Sequence, residues 1–196
     1  MRHTFSGNHK WTSHLLTGMM IGSALLLFPS IIPAIQTHVS RGQSLSATTL
    51  VGAEGLGVDL EKLKGRVKLM SMVPQLNTPV CDEQTHRFSE HHGRLDQHLQ
   101  MVTISTNTFD DQQRFTQNAN IHNITFLSDS PALEFGRKTG LQHPTHHLLQ
   151  RSIMVVDEQN IIRYIEIVPM SQLPDFEAAL EAARRVPALP VEEVRS

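Results

Sequence analysis

The sequence predicts an α/β protein with a mixed central sheet and helices on both faces, preceded by an N-terminal hydrophobic segment. Three observations carry this. Two short apolar runs, residues 67–73 and 101–106, flank a helix-like stretch, residues 79–99. Two further helix patterns, residues 110–120 and 131–139, are separated by the apolar run 124–127. Apolar runs 153–156 and 161–168 enclose the tetrapeptide Asp157, Glu158, Gln159, Asn160 and precede one more amphipathic helix. Strands that alternate with helices over such short connections build a layered α/β core.

In chain order, residues 43–53 are rich in Ser, Thr and Gly and read as a tether with room for one short strand. Residues 60–64 make one helical turn before Gly65. Residues 67–73 suit an interior strand because a strand covered on both faces needs no polar alternation. Phe88, Leu95 and Leu99 recur at helical spacing and place a helix over 79–99. The polar tetrapeptide at 157–160 between apolar runs is a hairpin turn. The last helix, 174–185, opens with Pro174 and acidic residues and closes on Arg184 and Arg185, as the helix dipole favours. Phe176, Leu180 and Ala183 lie on one of its faces.

Charge divides the 196 residues unevenly. Lys and Arg number 17 against 19 Asp and Glu, a formal net charge of -2, which gives no field strong enough to argue for nucleic acid. The first acidic residue is Glu54, so Arg2, Lys10 and Arg41 stand alone ahead of it. Residues 15–35 are almost wholly apolar, 21 in a row, about enough to cross a bilayer core. The expected organisation is a basic region (1–14), a hydrophobic signal anchor or signal peptide (15–35), a linker (36–50), an α/β domain (51–185) and a loose tail (186–196). The stretch exceeds an ordinary signal-peptide core and lacks an Ala-x-Ala site, which favours an uncleaved anchor. Two basic residues before it against one after it place the domain on the extracytoplasmic, periplasmic side.

Cys81 is the single cysteine, which excludes an intramolecular disulfide and every multi-cysteine metal centre. Thr78 followed by Pro79 marks a helix start and puts Cys81 in the first helical turn. Exposed backbone N–H groups there favour an anion, and a thiolate rather than a thiol is the nucleophile. Asp82 and Glu83 oppose a second negative charge, so a compensating cation is required. They project about 100° and 200° around the helix from Cys81 and need not face it. None of the twelve histidines forms a His-x-x-x-His pair backed by carboxylates, and no metal or cofactor is expected.

The run Pro74-x-x-x-Thr78-x-x-Cys81 resembles the signature of the peroxiredoxins, and its context is most similar to their thiol peroxidase subgroup. Lys64 to Leu69, Arg87-Phe88, Leu148-Leu149-Gln150-Arg151, Asp157-Glu158 and residues 174–180 follow in family order. The resemblance spans about residues 50–185 and implies a thioredoxin-like fold. It further implies roles: Cys81 as the peroxidatic cysteine, Thr78 as a hydroxyl bonding thiolate and peroxide, Arg151 as the guanidinium, and Pro74 as a lid. Donors preorganised for the departing oxygen's charge stabilise the transition state beyond the ground state. Many members carry a resolving cysteine in an Arg-Phe-Cys context; here the stretch reads Arg114-Phe115-Thr116. The implied partners are a peroxide and an external thiol reductant, either a thioredoxin-like or glutaredoxin-like protein or a low-molecular-weight thiol, with a homodimer left open. The segment ahead of Val51 is shorter than the family's usual N-terminal hairpin. The competing readings are an idle binding module with the same fold and a redox sensor that pairs Cys81 between two chains.

Overall fold

The computed structural model describes residues 38–63, 66–91 and 99–187. The basic region, the apolar stretch 15–35, Leu95 and residues 188–196 of the tail lie outside the described residues. No helix among the described residues is long and apolar enough to cross a membrane.

Seven strands form one sheet: β1 (Thr49–Val51), β2 (Gly57–Asp59), β3 (Val67–Val73), β4 (Leu99–Ser105), β5 (Thr125–Ser128), β6 (Ser152–Val156) and β7 (Ile162–Ile167), in the spatial order β2-β1-β5-β4-β3-β6-β7. The three central strands β5, β4 and β3 are parallel, β6 runs antiparallel beside β3, and β7 pairs antiparallel with β6. The helices are α1 (Pro79–His91), α2 (Phe109–Ala119), α3 (Glu134–Thr139) and α4 (Phe176–Arg184), with single turns of tighter helix at Ala53–Gly55 and Leu60–Leu63.

Strand β3 is buried along its whole length, and its pleat distributes side chains to two cores. Leu69 and Val73 meet Cys81 and Phe88 of α1, Phe115 of α2 and Phe176 and Leu180 of α4 on one face. Met70 and Met72 meet Phe135 of α3, Leu45 and Leu50 on the other. Fully burying one such Leu, Met or Phe contributes on the order of 1.5–3 kcal/mol. Helix α4 covers its face as its spacing predicts, and Asp175 caps it by accepting from the Ala178 N–H at 2.9 Å.

Four expectations change. Leu99 opens β4 instead of closing the preceding helix, because it pairs in register with Val67 and continues the parallel ladder. Residues 39–50 form a strap fastened to the domain: the N–H groups of Val39, Gly42 and Leu45 donate to the carbonyls of Thr139, Ile162 and Asn160 at 2.9, 2.7 and 2.8 Å. The N-terminal edge that looked too short is a hairpin, with Thr49, Leu50 and Val51 opposite Asp59, Val58 and Gly57. Helix α3 is also shorter than 131–139: Leu133 adopts a left-handed backbone, and the buried Asp129 carboxylate accepts from the Phe135 and Gly136 N–H groups, both at 2.9 Å. Burial raises the Asp129 pKa above the ordinary carboxylate value.

Candidate active site

Strand β3 delivers the chain to the site and α1 carries it away. Just past Val73, Pro74 is buried and its carbonyl accepts from the Thr106 hydroxyl. Two residues later the Leu76 N–H donates to Asn107 Oδ1 at 2.8 Å. The loop is thus held against the connection between β4 and α2. Thr78 begins the helix: its carbonyl accepts from the Asp82 N–H at 2.8 Å, and Pro79, which has no N–H to lose, follows. The Thr78 hydroxyl donates to the Gln75 carbonyl at 3.1 Å, and no hydrogen bond joins Thr78 to Cys81 in this conformation.

Cys81 sits in that first turn and is 1% exposed. Gln84, Thr85 and Phe88 share its buried face, as i+3, i+4 and i+7 positions should. Asp82 and Glu83 face elsewhere and find other partners: the Asp82 carboxylate lies 3.4 Å from His86 Nε2, and Glu83 pairs with Arg87 at 2.7 Å.

The cation that the sulfur requires is Arg151, placed just ahead of β6 and 2% exposed. Its Nη2 donates to Cys81 Sγ at 3.2 Å, although the two residues are 70 positions apart in sequence. The rest of the guanidinium is fixed by three acceptors. Nε donates to the Met170 carbonyl at 3.0 Å, Nη1 to the Val80 carbonyl at 3.4 Å, and Nη1 also to Gln84 Oε1. Gln84 is held in turn, donating through Nε2 to Ser71 Oγ at 2.8 Å. Arg151 therefore reaches the sulfur with its orientation already determined. Because Gln84 is neutral, the guanidinium charge is not cancelled by its nearest acceptor.

Of the four residues singled out in sequence, the structure brings Cys81 and Arg151 into contact. It places Thr78 at the head of the same helix and Pro74 at the end of the neighbouring strand. Gln84 and Ser71 were missed. Their signal was a glutamine on the buried face of α1 and a serine inside a strand with no exposed position, both of which need partners. Thr116, which the family resemblance sets opposite a resolving cysteine, lies on α2 and donates its hydroxyl to the Gln113 carbonyl at 2.9 Å. Between the start of α1 and α2 runs a groove of about 630 Å³, bordered by Thr78, Pro79, His86, Arg114 and Phe115. Among the described residues no three His, Cys, Asp or Glu side chains converge as metal ligands would.

Comparison with known proteins gives this geometry its family. The Redoxin family model matches residues 33–180. A thiol peroxidase of Staphylococcus saprophyticus is 35% identical over 156 residues, covering 79% of this chain and 94% of its own. The chain is a peroxiredoxin of the thiol peroxidase type. A second thiol peroxidase, from Staphylococcus epidermidis, is 38% identical over 151 residues, 76% of this chain and 91% of its own. The crystal structure of a peroxiredoxin-like protein from Aquifex aeolicus superimposes with a TM-score of 0.69 at 22% identity, covering 76% of this chain and 88% of that one. That likeness supports the fold: the thioredoxin-like arrangement that the family resemblance implied is the one this peroxiredoxin adopts. The family makes it an oxidoreductase that takes electrons from a thiol to reduce a peroxide.

Proposed function

We propose that Cys81 is the peroxidatic cysteine and that an external thiol recycles it. The observation that carries this reading is the Arg151 Nη2 to Cys81 Sγ hydrogen bond at 3.2 Å inside a nearly closed site. The thiolate attacks one peroxide oxygen; a sulfur–oxygen bond forms as the oxygen–oxygen bond breaks. The departing oxygen takes a proton and leaves as water or alcohol. Sulfur loses two electrons and becomes a sulfenic acid, and the peroxide gains them. As charge builds on the leaving oxygen, the fixed Arg151 fork and the Thr78 hydroxyl are the groups able to stabilise it. For Thr78 this requires its hydroxyl to leave the Gln75 carbonyl when peroxide binds. Pro74 offers no N–H to water at the oxidised sulfur, which supports its reading as a lid.

The chain has one cysteine, so no second thiol of its own can resolve the sulfenic acid. A thiol from outside condenses with it to a mixed disulfide and releases water; a second thiol then frees Cys81 and leaves as a disulfide. The groove beside Thr78 and Pro79 is the approach that supports this route. The apolar stretch 15–35 supports attachment to a membrane with the catalytic domain on the extracytoplasmic side. Stopped-flow oxidation of the reduced full chain by hydrogen peroxide, set against Cys81→Ser, tests the catalytic reading. Rapid single-phase consumption of one thiol, lost in the variant, is expected. Reaction no faster than that of free glutathione would return the chain to the idle binding module.

A further inference from the structure

The hydrogen bond between Leu76 and Asn107 reaches the active site through a single peptide unit. The Leu76 N–H donates to Asn107 Oδ1 at 2.8 Å, and the carbonyl of that same unit, belonging to Gln75, accepts from the Thr78 hydroxyl at 3.1 Å. A trans peptide is planar, with its N–H and C=O pointing in opposite directions, so a partner that fixes one fixes the other. Leu76 and Asn107 are buried, whereas Gln75 is exposed. One plane thus joins an interior acceptor to a hydroxyl at the mouth of the site. The preceding unit is held as well, its Pro74 carbonyl accepting from the Thr106 hydroxyl.

Asn107 is itself a fixed point. It lies in the short connection 106–108 between β4 and α2. Its N–H donates to Ser105 Oγ at 3.2 Å, and its carbonyl accepts from the Ser128 hydroxyl of β5 at 2.6 Å. Gln112 Nε2 of α2 donates to the same Ser105 Oγ at 2.9 Å and to the Leu127 carbonyl at 2.8 Å. Residues of β4, α2 and β5 therefore set where Oδ1 stands, and the loop is built onto it.

We propose that Asn107 is a positioning residue for peroxide reduction: it orients the Gln75–Leu76 peptide and, through the Gln75 carbonyl, the Thr78 hydroxyl. The inference rests on the reading of Cys81 as the peroxidatic cysteine and of Thr78 as its hydroxyl. With the peptide fixed, that hydroxyl awaits peroxide in one orientation and is drawn to the departing oxygen from a defined starting point. Without Oδ1 the Leu76 N–H loses its acceptor in the interior, the peptide unit turns to find another, and Thr78 is aimed differently.

Asn107→Leu keeps the volume and removes the acceptor, whereas Asn107→Asp keeps an acceptor oxygen. Stopped-flow oxidation of the reduced full chain by hydrogen peroxide should slow roughly tenfold in Asn107→Leu, and Asn107→Asp should recover most of the rate. Added to Thr78→Val, Asn107→Leu should bring no further loss, because the hydroxyl it orients is gone. A residue that only supports the fold would slow both backgrounds alike. The native rate in Asn107→Leu, an equal loss in Asn107→Asp, or a full tenfold loss on top of Thr78→Val would overturn the proposal. Should Asn107→Leu fail to fold by circular dichroism, residue-resolved hydrogen exchange on the native chain takes its place. There the Leu76 amide should be protected about 100-fold or more beyond the exposed Asn77 amide, and equal exchange would overturn the proposal. A native chain that reacts no faster than Cys81→Ser sinks the catalytic reading instead, and Thr78→Val at the native rate sinks the role of its hydroxyl, so each failure is distinct.

Discussion

Arg151→Lys keeps the charge and removes the fork. In the native site one planar group serves four acceptors: the Met170 and Val80 carbonyls, Gln84 Oε1 and, at 3.2 Å, Cys81 Sγ. A lysine ammonium has three donors on one nitrogen and cannot span them. Loss of a preorganised donor at a site of developing charge costs about 100- to 1,000-fold in rate, or about 2.7–4 kcal/mol. The second-order rate of thiol oxidation by hydrogen peroxide should fall accordingly in a stopped-flow measurement on the reduced full chain. Gln84→Leu, similar in volume but unable to accept, removes one orienting bond and should cost on the order of 10-fold, about 1.4 kcal/mol. If Gln84 acts through Arg151, the two losses should not add: the double variant should react about as slowly as Arg151→Lys alone. Arg151→Lys within about threefold of the native rate, or strict additivity in a double variant that stays folded by circular dichroism, would refute the argument.

Three other outcomes follow from particular contacts. Thr78→Val should slow peroxide attack by roughly tenfold or more while Thr78→Ser retains most of the rate, as a hydroxyl-specific role requires. Burial and the neighbouring Glu166 carboxylate push the Tyr164 pKa up to about 12 from 10.0, so absorbance titration of the lone tyrosine should show little tyrosinate at pH 11, and Glu166→Gln should bring the transition down. Since the folded chain holds this proton above the unfolded value, the phenol's contribution to stability is complete below pH 10 and declines as pH rises through about 12. Lys68 is fully buried with its ammonium on the Leu63, Arg66 and Asp157 carbonyls at 3.0, 3.1 and 3.2 Å; Lys68→Ala strands these acceptors and should lower denaturant stability by more than about 3 kcal/mol.

The elements with strong periodicity were legible in the sequence. Strand β3 matches its expected range, and α4 shows the apolar face that Phe176, Leu180 and Ala183 announced, because burial on a regular element imposes its period on the residues. The strap was not legible. Its hold depends on backbone N–H groups, which every residue but proline owns, and Leu45 is a single apolar residue among polar neighbours. At the site, the spacing of Pro74, Thr78 and Cys81 was visible because these residues are close in sequence. That Arg151 arrives at the sulfur depends on β6 lying antiparallel beside β3, with Ser152 opposite Met72, a long-range pairing that no local pattern records. Gln84 escaped notice because a glutamine suits an exposed helix face as well as a buried one.

Near-total enclosure of the sulfur sets a size filter that works in both directions. On the proposed reading of Pro74 and Thr78, an oxidant of a few atoms reaches the sulfur more readily than a bulky electron donor, for which the oxidised atom lies behind backbone. For such a donor the opening turn of α1 must first unwind, breaking the Asp82 N–H to Thr78 carbonyl bond of 2.8 Å. Restoration of the enzyme would then keep pace with amide exchange around Val80 to Asp82, and a variant stiffened there would accumulate in its spent form.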